Sequence, residues 1–406
     1  MSHTASKAAL GVTSVAPVAP ALPAGWEHLA HVTEGVPISW YLDDDVLEVE
    51  QRVLFDQGPG YVGHELLVPS VGDYLVPAWD EGWALVHGQD EIQQLSNVCR
   101  HRQSVILEGR GNTRNVVCPL HRWSYSLDGR HQAAPRFGYL PGRDLPKRSL
   151  QSWNGLLFAG PREVGADLAS LALSDEYRFD GFVYDRTWVE EYSINWKTFI
   201  EFYIEILHVE PFHPGLTSLI DCDGFGPDNW EFGDNWQNQR LDPGNDFSTS
   251  KSDAYLEYQK LLVDYRGAVP KFGALWLCLY PNVMVEWYPE SLIVSHLLPR
   301  AAGHTTNVVD FYYPADVLRE CPELVEAHQA AYVETAQEDG VIADHMDRGR
   351  RALAARGADD AGPYQHPMET GMAHFHDYLH RYLDAEVGTA LAARQQQVQL
   401  RAGKRT

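Results

Sequence analysis

Residues 97–123 read NVCRHRQSVILEGRGNTRNVVCPLHRW, a stretch with two cysteines and two histidines in the order Cys99-x-His101 and Cys118-x-x-His121. An ordinary zinc module takes two thiolates from one knuckle and two imidazoles from the other, because one ion receives all four. A two-iron, two-sulfide cluster with unequal irons asks for something else. One iron takes two thiolates, the other takes two imidazoles, and each loop must reach both. A loop that supplies one Cys and one His meets that demand, and two such loops facing each other complete it. Gly109 and Gly111 between the loops and Gly129 after them suit the tight turns required. The competing readings are a structural Cys/His zinc site and two unrelated surface loops.

The text on either side is strand-like. Over residues 56–165, segments such as HELLVPSVGDYLVPAW, WALVHG, NVVCPL and GLLFAG are short, β-branched or aromatic, and separated by Gly, Pro and Asp. That is the pattern of a small antiparallel β domain. Before it, residues 1–25 form an Ala/Pro/Val/Ser leader without a basic, then continuously apolar, signal. Residues 26–55 contain WYLDDDVLEVEQRVLF, a short amphipathic helix. After it, over 166–385, helix-like NWKTFIEFYIEILHVE and VLRECPELVEAHQAAYVETAQ flank strand-like ALWLCLYPNVMVEWYP and SLIVSHLLP. These predict a larger α+β domain. Residues 386–406 read as a solvated helix with a frayed end.

Composition narrows the function. With 32 basic against 56 acidic side chains the net charge is −24, so nothing draws the chain to nucleic acid or anionic lipid. Cys222, Cys278 and Cys321 stand alone, which argues against a secreted disulfide framework. No apolar run approaches the ~20 residues that span a bilayer. These features predict a cytoplasmic enzyme that is not bound to membranes.

A second constellation lies in NWKTFIEFYIEILHVEPFHPG, residues 195–215. On a continuous helix Glu201, Glu205 and His208 share one face, at i, i+4 and i+7. His213 falls about 140° away, unless Pro211 stops the helix and lets it swing back. Two neutral imidazoles and one carboxylate, with open positions left over, make the facial triad of a non-heme Fe(II) site. The alternative is a solvated acidic helix face.

CRHR, a gap and then CPLHRWSYSLDGR resemble the Rieske motif of the Rieske non-heme iron oxygenases, whose loops read Cys-x-His-Arg and Cys-Pro-x-His-x-Trp. Neither loop has the additional cysteine of respiratory Rieske proteins. The resemblance continues through Asn195-Trp196-Lys197, an acidic residue, x-x-His, four residues and His-Pro, and through PNVMVEWYP. It covers nearly the whole chain after about residue 35.

The resemblance implies a Rieske domain followed by a helix-grip-like α+β catalytic domain with an antiparallel sheet. It implies that Cys99, His101, Cys118 and His121 hold a [2Fe–2S] cluster, with Arg100, Arg102 and Trp123 behind them. His208 and His213 would ligate a mononuclear Fe(II), and AQEDGVIADHMDRG supplies the third ligand at Asp339, with Asp344 and Asp347 as rivals. Glu205 takes the acidic position that passes electrons from the cluster of a neighbouring subunit, which requires a head-to-tail homotrimer. O2 is the co-substrate. Electrons come from NAD(P)H through a separate reductase, with or without a ferredoxin, since no nicotinamide or flavin fingerprint is present.

Two departures, Ile200-Glu201 and Leu207, set the chain apart from arene dioxygenases. A Glu at position 205 resembles the branch that oxidises quaternary amines. The expected activity is therefore hydroxylation or oxidative demethylation of a small organic substrate. Aromatic cis-dihydroxylation is the alternative reading; a pure Rieske electron carrier or a zinc protein leaves the second constellation unused. Glu201 is expected to face the cavity and to favour a cationic substrate, with Phe202, Tyr203, Trp276, Trp287 or Tyr288 adding cation–π contacts. The paired His376 and His380 read as part of a terminal amphipathic helix.

Overall fold

A computed structural model of the chain describes residue 22 and residues 26–171, 178–245, 247 and 249–403, with side chains of the last helix described to residue 392. The expected leader, apart from Leu22, lies outside the described residues.

The β-rich part is built from three small antiparallel sheets. The largest orders Arg110–Asn112, Asp73–Leu75, Trp83–His87, Ile92–Ser96 and Lys147–Arg148 side by side. A second pairs Tyr61–His64 with Leu156–Phe158 and Gln151–Trp153. The third, Val116–Val117, Ser124–Tyr125 and His131–Ala133, frames the second Cys/His loop.

The larger part is organised by seven antiparallel strands: β1 (Phe182–Tyr192), β2 (Trp230–Gly233), β3 (Trp236–Leu241), β4 (Ala274–Leu279), β5 (Val283–Tyr288), β6 (Ser291–Ala301) and β7 (His304–Pro314), in the order β1-β7-β6-β5-β4-β3-β2. Its central strands are apolar at nearly every position because both faces are covered. One face packs Leu275, Leu277, Val283, Val285 and Trp287 against Leu156, Phe158, Val164 and Leu168 at the end of the β-rich part. The other packs Trp276, Ile293, Val309 and Phe311 against Leu324, Val325 and Ala331. Those last three residues belong to a long helix, α4 (Pro322–Ala354), counted after α1 (Trp196–Tyr203), α2 (Val209–Phe212) and α3 (Asp253–Arg266). The final helix, α5 (Thr370–Gly403), runs through position 386 without a break.

The N-terminal helical segment forms as Ser39–Leu42 and Asp44–Glu50, divided at Asp43, whose carboxylate accepts from the Asp45 N–H at 3.0 Å. It docks on the larger domain: Trp40, Val46, Val49 and Leu54 pack with Trp196, Ile200, Phe375 and Leu379. Glu50, fully buried, accepts from Lys197 Nζ at 2.5 Å and from Trp196 Nε1 at 2.7 Å. Asn195 caps α1 by accepting from the Lys197 N–H at 3.0 Å. Asn195, Trp196 and Lys197 are thus explained as a helix cap and two anchors for a segment that precedes the β-rich part in sequence.

The expected continuous helix through Glu201, Glu205 and His208 does not form. α1 ends at Tyr203, and residues 204–208 are unwound. The Ile206 N–H leaves the helical ladder for the carbonyl of Met368, 3.3 Å away, and the Glu205 carboxylate accepts from the His208 N–H at 3.1 Å. Pro211 is not the breaker either. It sits within α2, in a first turn whose N–H groups have no intrahelical partner. Tertiary hydrogen bonds override a sequence that carries no Gly or Pro at the break.

Candidate functional site

The two Cys/His loops have the same backbone. In each, the cysteine N–H donates to the carbonyl five residues on, Ser104 at 2.9 Å and Trp123 at 2.8 Å. The N–H four residues on returns to the cysteine carbonyl, from Gln103 and from Arg122, both at 3.1 Å. Gln103 and Arg122 both take positive φ, 55° and 63°, so two non-glycine residues hold a left-handed turn at equivalent positions. The turns bring the His101 and His121 rings to 4.7 Å between centroids, while the Cys99 and Cys118 thiols are buried. Trp123 stacks on His101 at 4.8 Å, and the Tyr125 hydroxyl lies 3.4 Å from Cys99 Sγ. His101 Nδ1 is buried with no hydrogen-bond partner among the described residues. A lone imidazole nitrogen and two sheltered thiols, aimed from matched turns, fit a sulfur-bridged iron pair.

The second constellation converges tightly. His208 Nε2 and His213 Nε2 are 3.1 Å apart, and Asp339 Oδ1, brought by α4, lies 2.9 Å from the second and 3.5 Å from the first. Metal–nitrogen bonds of about 2.1 Å at right angles put ligand atoms about 3.0 Å apart, so these separations suit three adjacent corners of an octahedron. Among the described residues, these are the His, Cys, Asp or Glu side chains whose ligand atoms gather closely enough for one ion. The other ring nitrogens are held by acids: His208 Nδ1 donates to Glu205 Oε1, and His213 Nδ1 to Glu338 Oε2 at 2.7 Å. Each acid fixes the tautomer that turns an Nε2 lone pair inward. Two lone pairs and a carboxylate at this spacing need a cation between them, so the residues fit a mononuclear metal.

Asp344 and Asp347 are elsewhere occupied, by Arg348 at 3.2 Å and Arg351 at 2.5 Å. Glu338 is a partner the sequence reading passed over, although it adjoins Asp339 in the same acidic pair.

The three converging atoms open on a cavity of about 80 Å³, walled by aromatic side chains that include Phe199, Phe202, Tyr203, Trp276, Tyr288 and Tyr332. Trp287, expected among them, is not. Strand alternation turns it to the opposite face, where it stacks on Phe179 at 5.4 Å. Glu201 is also absent from the cavity. Its carboxylate is 1% exposed and accepts from Arg350 Nη2 at 2.6 Å, from His376 Nε2 at 3.0 Å and from the Tyr41 hydroxyl. Burial would raise its pKa, yet Arg350, His376 and Tyr41 hold it down to about 2. The break after Tyr203 separates Glu201 from Glu205, and the expected role as a substrate contact fails for that reason. His376 is thereby explained as a buried partner of Glu201, while His380 binds Asp384 at 2.8 Å.

Besides Glu205 and Asp339, a third acid faces the cavity. Glu286 on β5 is the single charged residue of the run VMVEWY. Tyr203 Oη and Asn307 Oδ1, also in the lining, are buried without a hydrogen-bond partner among the described residues.

Comparison with known proteins agrees with this geometry. Residues 64–144 match the Rieske [2Fe-2S] domain, and residues 179–385 match the catalytic domain of ring-hydroxylating alpha subunits. The chain is 48% identical over 357 residues to the putrescine 2-hydroxylase of Ralstonia nicotianae, covering 86% of this chain and 95% of that one. It is 42% identical over 375 residues to the putrescine 2-hydroxylase of Bordetella bronchiseptica, covering 87% and 86%. A crystal structure of a quaternary ammonium Rieske monooxygenase with an inhibitor superposes at a TM-score of 0.70 and 20% identity, over 89% of this chain and 98% of that one, which speaks for the fold.

Proposed function

The chain belongs to the Rieske non-heme iron oxygenases as an oxygenase (alpha) component, and from that membership we propose that it hydroxylates a small aliphatic diamine of the putrescine kind. Enzymes of this class carry a [2Fe–2S] cluster and a mononuclear iron, and these cofactors supply the reductive activation of O2. One oxygen atom enters a C–H bond and the other leaves as water, which consumes two electrons and two protons per turnover.

The observation that carries the reading is the meeting of His208, His213 and Asp339 at the edge of an aromatic-walled cavity. The substrate class is supported by the two putrescine 2-hydroxylases that match nearly end to end. In this reading Cys99, His101, Cys118 and His121 hold the cluster, and His208, His213 and Asp339 hold the iron. Glu338 and Glu205 orient the two imidazoles, and the aromatic walls exclude water from the reacting carbon. Residues 56–165 are the cluster domain and 166–385 the iron domain, with 26–55 docked on the latter and 386–406 as the tail.

Electrons come from a separate NAD(P)H-dependent reductase and cross between subunits of a head-to-tail homotrimer. The surfaces support this. Leu207 and Phe212, 41% and 40% exposed, flank the His208 loop, while Leu120, Tyr139 and Leu140 are bare near the Cys/His loops. Joining one set to the other on a second copy buries both and brings Glu205 toward a neighbour's His101 or His121. Among the described residues no helix is long and apolar enough to cross a membrane. All five cysteines are free, which suits the reducing cytoplasm.

The test is turnover of purified holoenzyme with a surrogate reductase and putrescine, following O2 use and product mass. A gain of one oxygen atom, coupled to O2 uptake, is expected. Failure to oxidise any aliphatic amine in a panel of cationic substrates refutes the assignment.

A further inference from the structure

The cavity has an acidic end with no counterion among the described residues. Glu286 is 4% exposed, and the hydrogen bond to its carboxylate from the described residues is a single one, from the Tyr288 hydroxyl at 2.9 Å. That hydroxyl is itself held by Trp276 Nε1 at 3.1 Å. Among the described residues no Lys or Arg lines the cavity. The histidine nearest in kind, His328, is pushed down to about 3 by burial, so it stays neutral between Ser291 Oγ at 3.1 Å and the Tyr313 hydroxyl at 2.8 Å. The groups that bear electrostatically on Glu286 are Asp339 of α4, Tyr203 of α1, and Tyr332 of α4, together with Tyr288 on its own strand. None is a cation.

A carboxylate buried without a cation is costly, and the chemistry requires either a bound proton or a positive ligand. Here the environment is prepared for the ligand. Tyr203 Oη, close enough to feel Glu286 as its strongest charged neighbour, is buried and unpartnered. The faces of Trp276, Tyr203 and Tyr332 supply the π surfaces that attract an ammonium once water is excluded. Strand register sets the place: Glu286 lies directly across from Trp276 on β4 and Ile293 on β6, in the floor of the cavity.

We propose that Glu286, with the Tyr203 hydroxyl beside it, is the anchor that binds one ammonium group of the substrate. This rests on the amine-hydroxylase reading above and gives it a residue. The anchor determines specificity because a ligand without a cationic end forms no ion pair with it. Burial foremost, with Asp339 adding to it and the Tyr288 bond opposing, pushes the Glu286 carboxyl up to about 8. At pH 7 the free enzyme therefore holds a proton there, and an arriving ammonium expels it.

The experiment is calorimetric binding of putrescine to anaerobic holoenzyme at pH 7 in buffers of different ionisation enthalpy. It compares the wild type with Glu286→Gln and Glu286→Asp, each checked for iron and sulfide content. Wild type is expected to release close to one proton per putrescine. Glu286→Gln should bind about 100-fold more weakly and release none, and Glu286→Asp should recover part of both, which a merely structural acid would not do. If the Gln variant folds poorly, the Asp variant and wild-type proton release still decide. Putrescine that is oxidised by the wild type, yet bound by Glu286→Gln with unchanged affinity, overturns the anchor and leaves the amine reading standing. A wild type that neither binds nor oxidises putrescine, or any other amine, overturns both.

Discussion

Glu201 and Arg350 give the sharpest test of the fold, because sequence reasoning assigned the acid to the substrate and the structure buries it in an ion pair. The Glu201 pKa falls from 4.5 to about 2 on folding, against the burial that would raise it. At ~1.36 kcal/mol per unit, that difference is about 3 kcal/mol of stability. With both groups well inside, solvent screening takes little from it. Arg350 also lies 3.6 Å above the Tyr41 ring and donates to Thr198 Oγ1 at 2.5 Å, so its removal disturbs more than one contact. Arg350→Met should cost about 3–5 kcal/mol, the usual consequence of stranding one partner of a buried pair. For a domain of this size that lowers the unfolding midpoint by roughly 6–15 °C. Since folding depresses the pKa, the stabilisation is complete above about pH 4.5 and lost as pH falls through about 2, with about 2 kcal/mol left near pH 3.5. Thermal and denaturant unfolding of wild type, Arg350→Met, Glu201→Gln and the double variant measures it. The double variant should lose far less than the two singles together, as coupled residues do. A Glu201→Gln protein with wild-type stability and a raised KM for a cationic substrate would return the acid to the cavity and refute this account.

Three further outcomes are expected. Asp339→Ala should lower iron from about three to about two per chain while sulfide and visible absorption stay unchanged, as metal analysis and spectroscopy will show. Glu205→Gln should keep both metal centres and yet lose turnover by on the order of 100-fold, because the carboxylate that holds His208 Nδ1 is gone; stopped-flow reoxidation of the cluster in the presence of substrate reads the step. Tyr125→Phe removes the hydroxyl 3.4 Å from Cys99 Sγ and should shift the cluster potential down by on the order of 60 mV, equivalent to about 1.4 kcal/mol of hydrogen bonding favouring the reduced state in this one-electron couple, measured by redox titration.

The motifs were legible where the chemistry depends on short spacing. Cys99, His101, Cys118 and His121 lie on two compact turns, so their sequence separation nearly determines their arrangement. The sheet was legible too, since ALWLCL and VMVEWY are buried on both faces and leave an apolar record broken at Glu286 alone. What misled was periodicity applied across residues 196–210. The segment has helical composition and no breaker, and its interruption is caused by the Met368 carbonyl, some 160 residues away, drawing off the Ile206 N–H. One lost turn moved Glu201 out of the cavity. Trp287 failed for the opposite reason: alternation along β5 would have divided it from Glu286 and Tyr288, but residue type alone put it with the other aromatics. Glu286 carried a signal that went unread, a lone acid in an apolar strand.

The unwound stretch explains why so many buried polar groups surround the iron site. Residues 204–208 carry Glu205 and His208 without a helical ladder to hold them, and ligand atoms must stay within a few tenths of an ångström of a working geometry. The chain fixes both ends instead. Upstream, α1 is capped by Asn195 and pinned by Lys197 to Glu50 and by Glu201 to Arg350 and His376, which ties it to the N-terminal segment, α4 and α5 at once. Downstream, α2 delivers His213 to Glu338, one residue from Asp339 on that same α4. Arg350 and Asp339 therefore share one helix, and the pair that holds α1 is linked through that helix to the acid that meets His213. In the proposed scheme Glu286 and Glu205 act from the cavity wall, while Glu201 and Glu50, buried in ion pairs, hold α1 still.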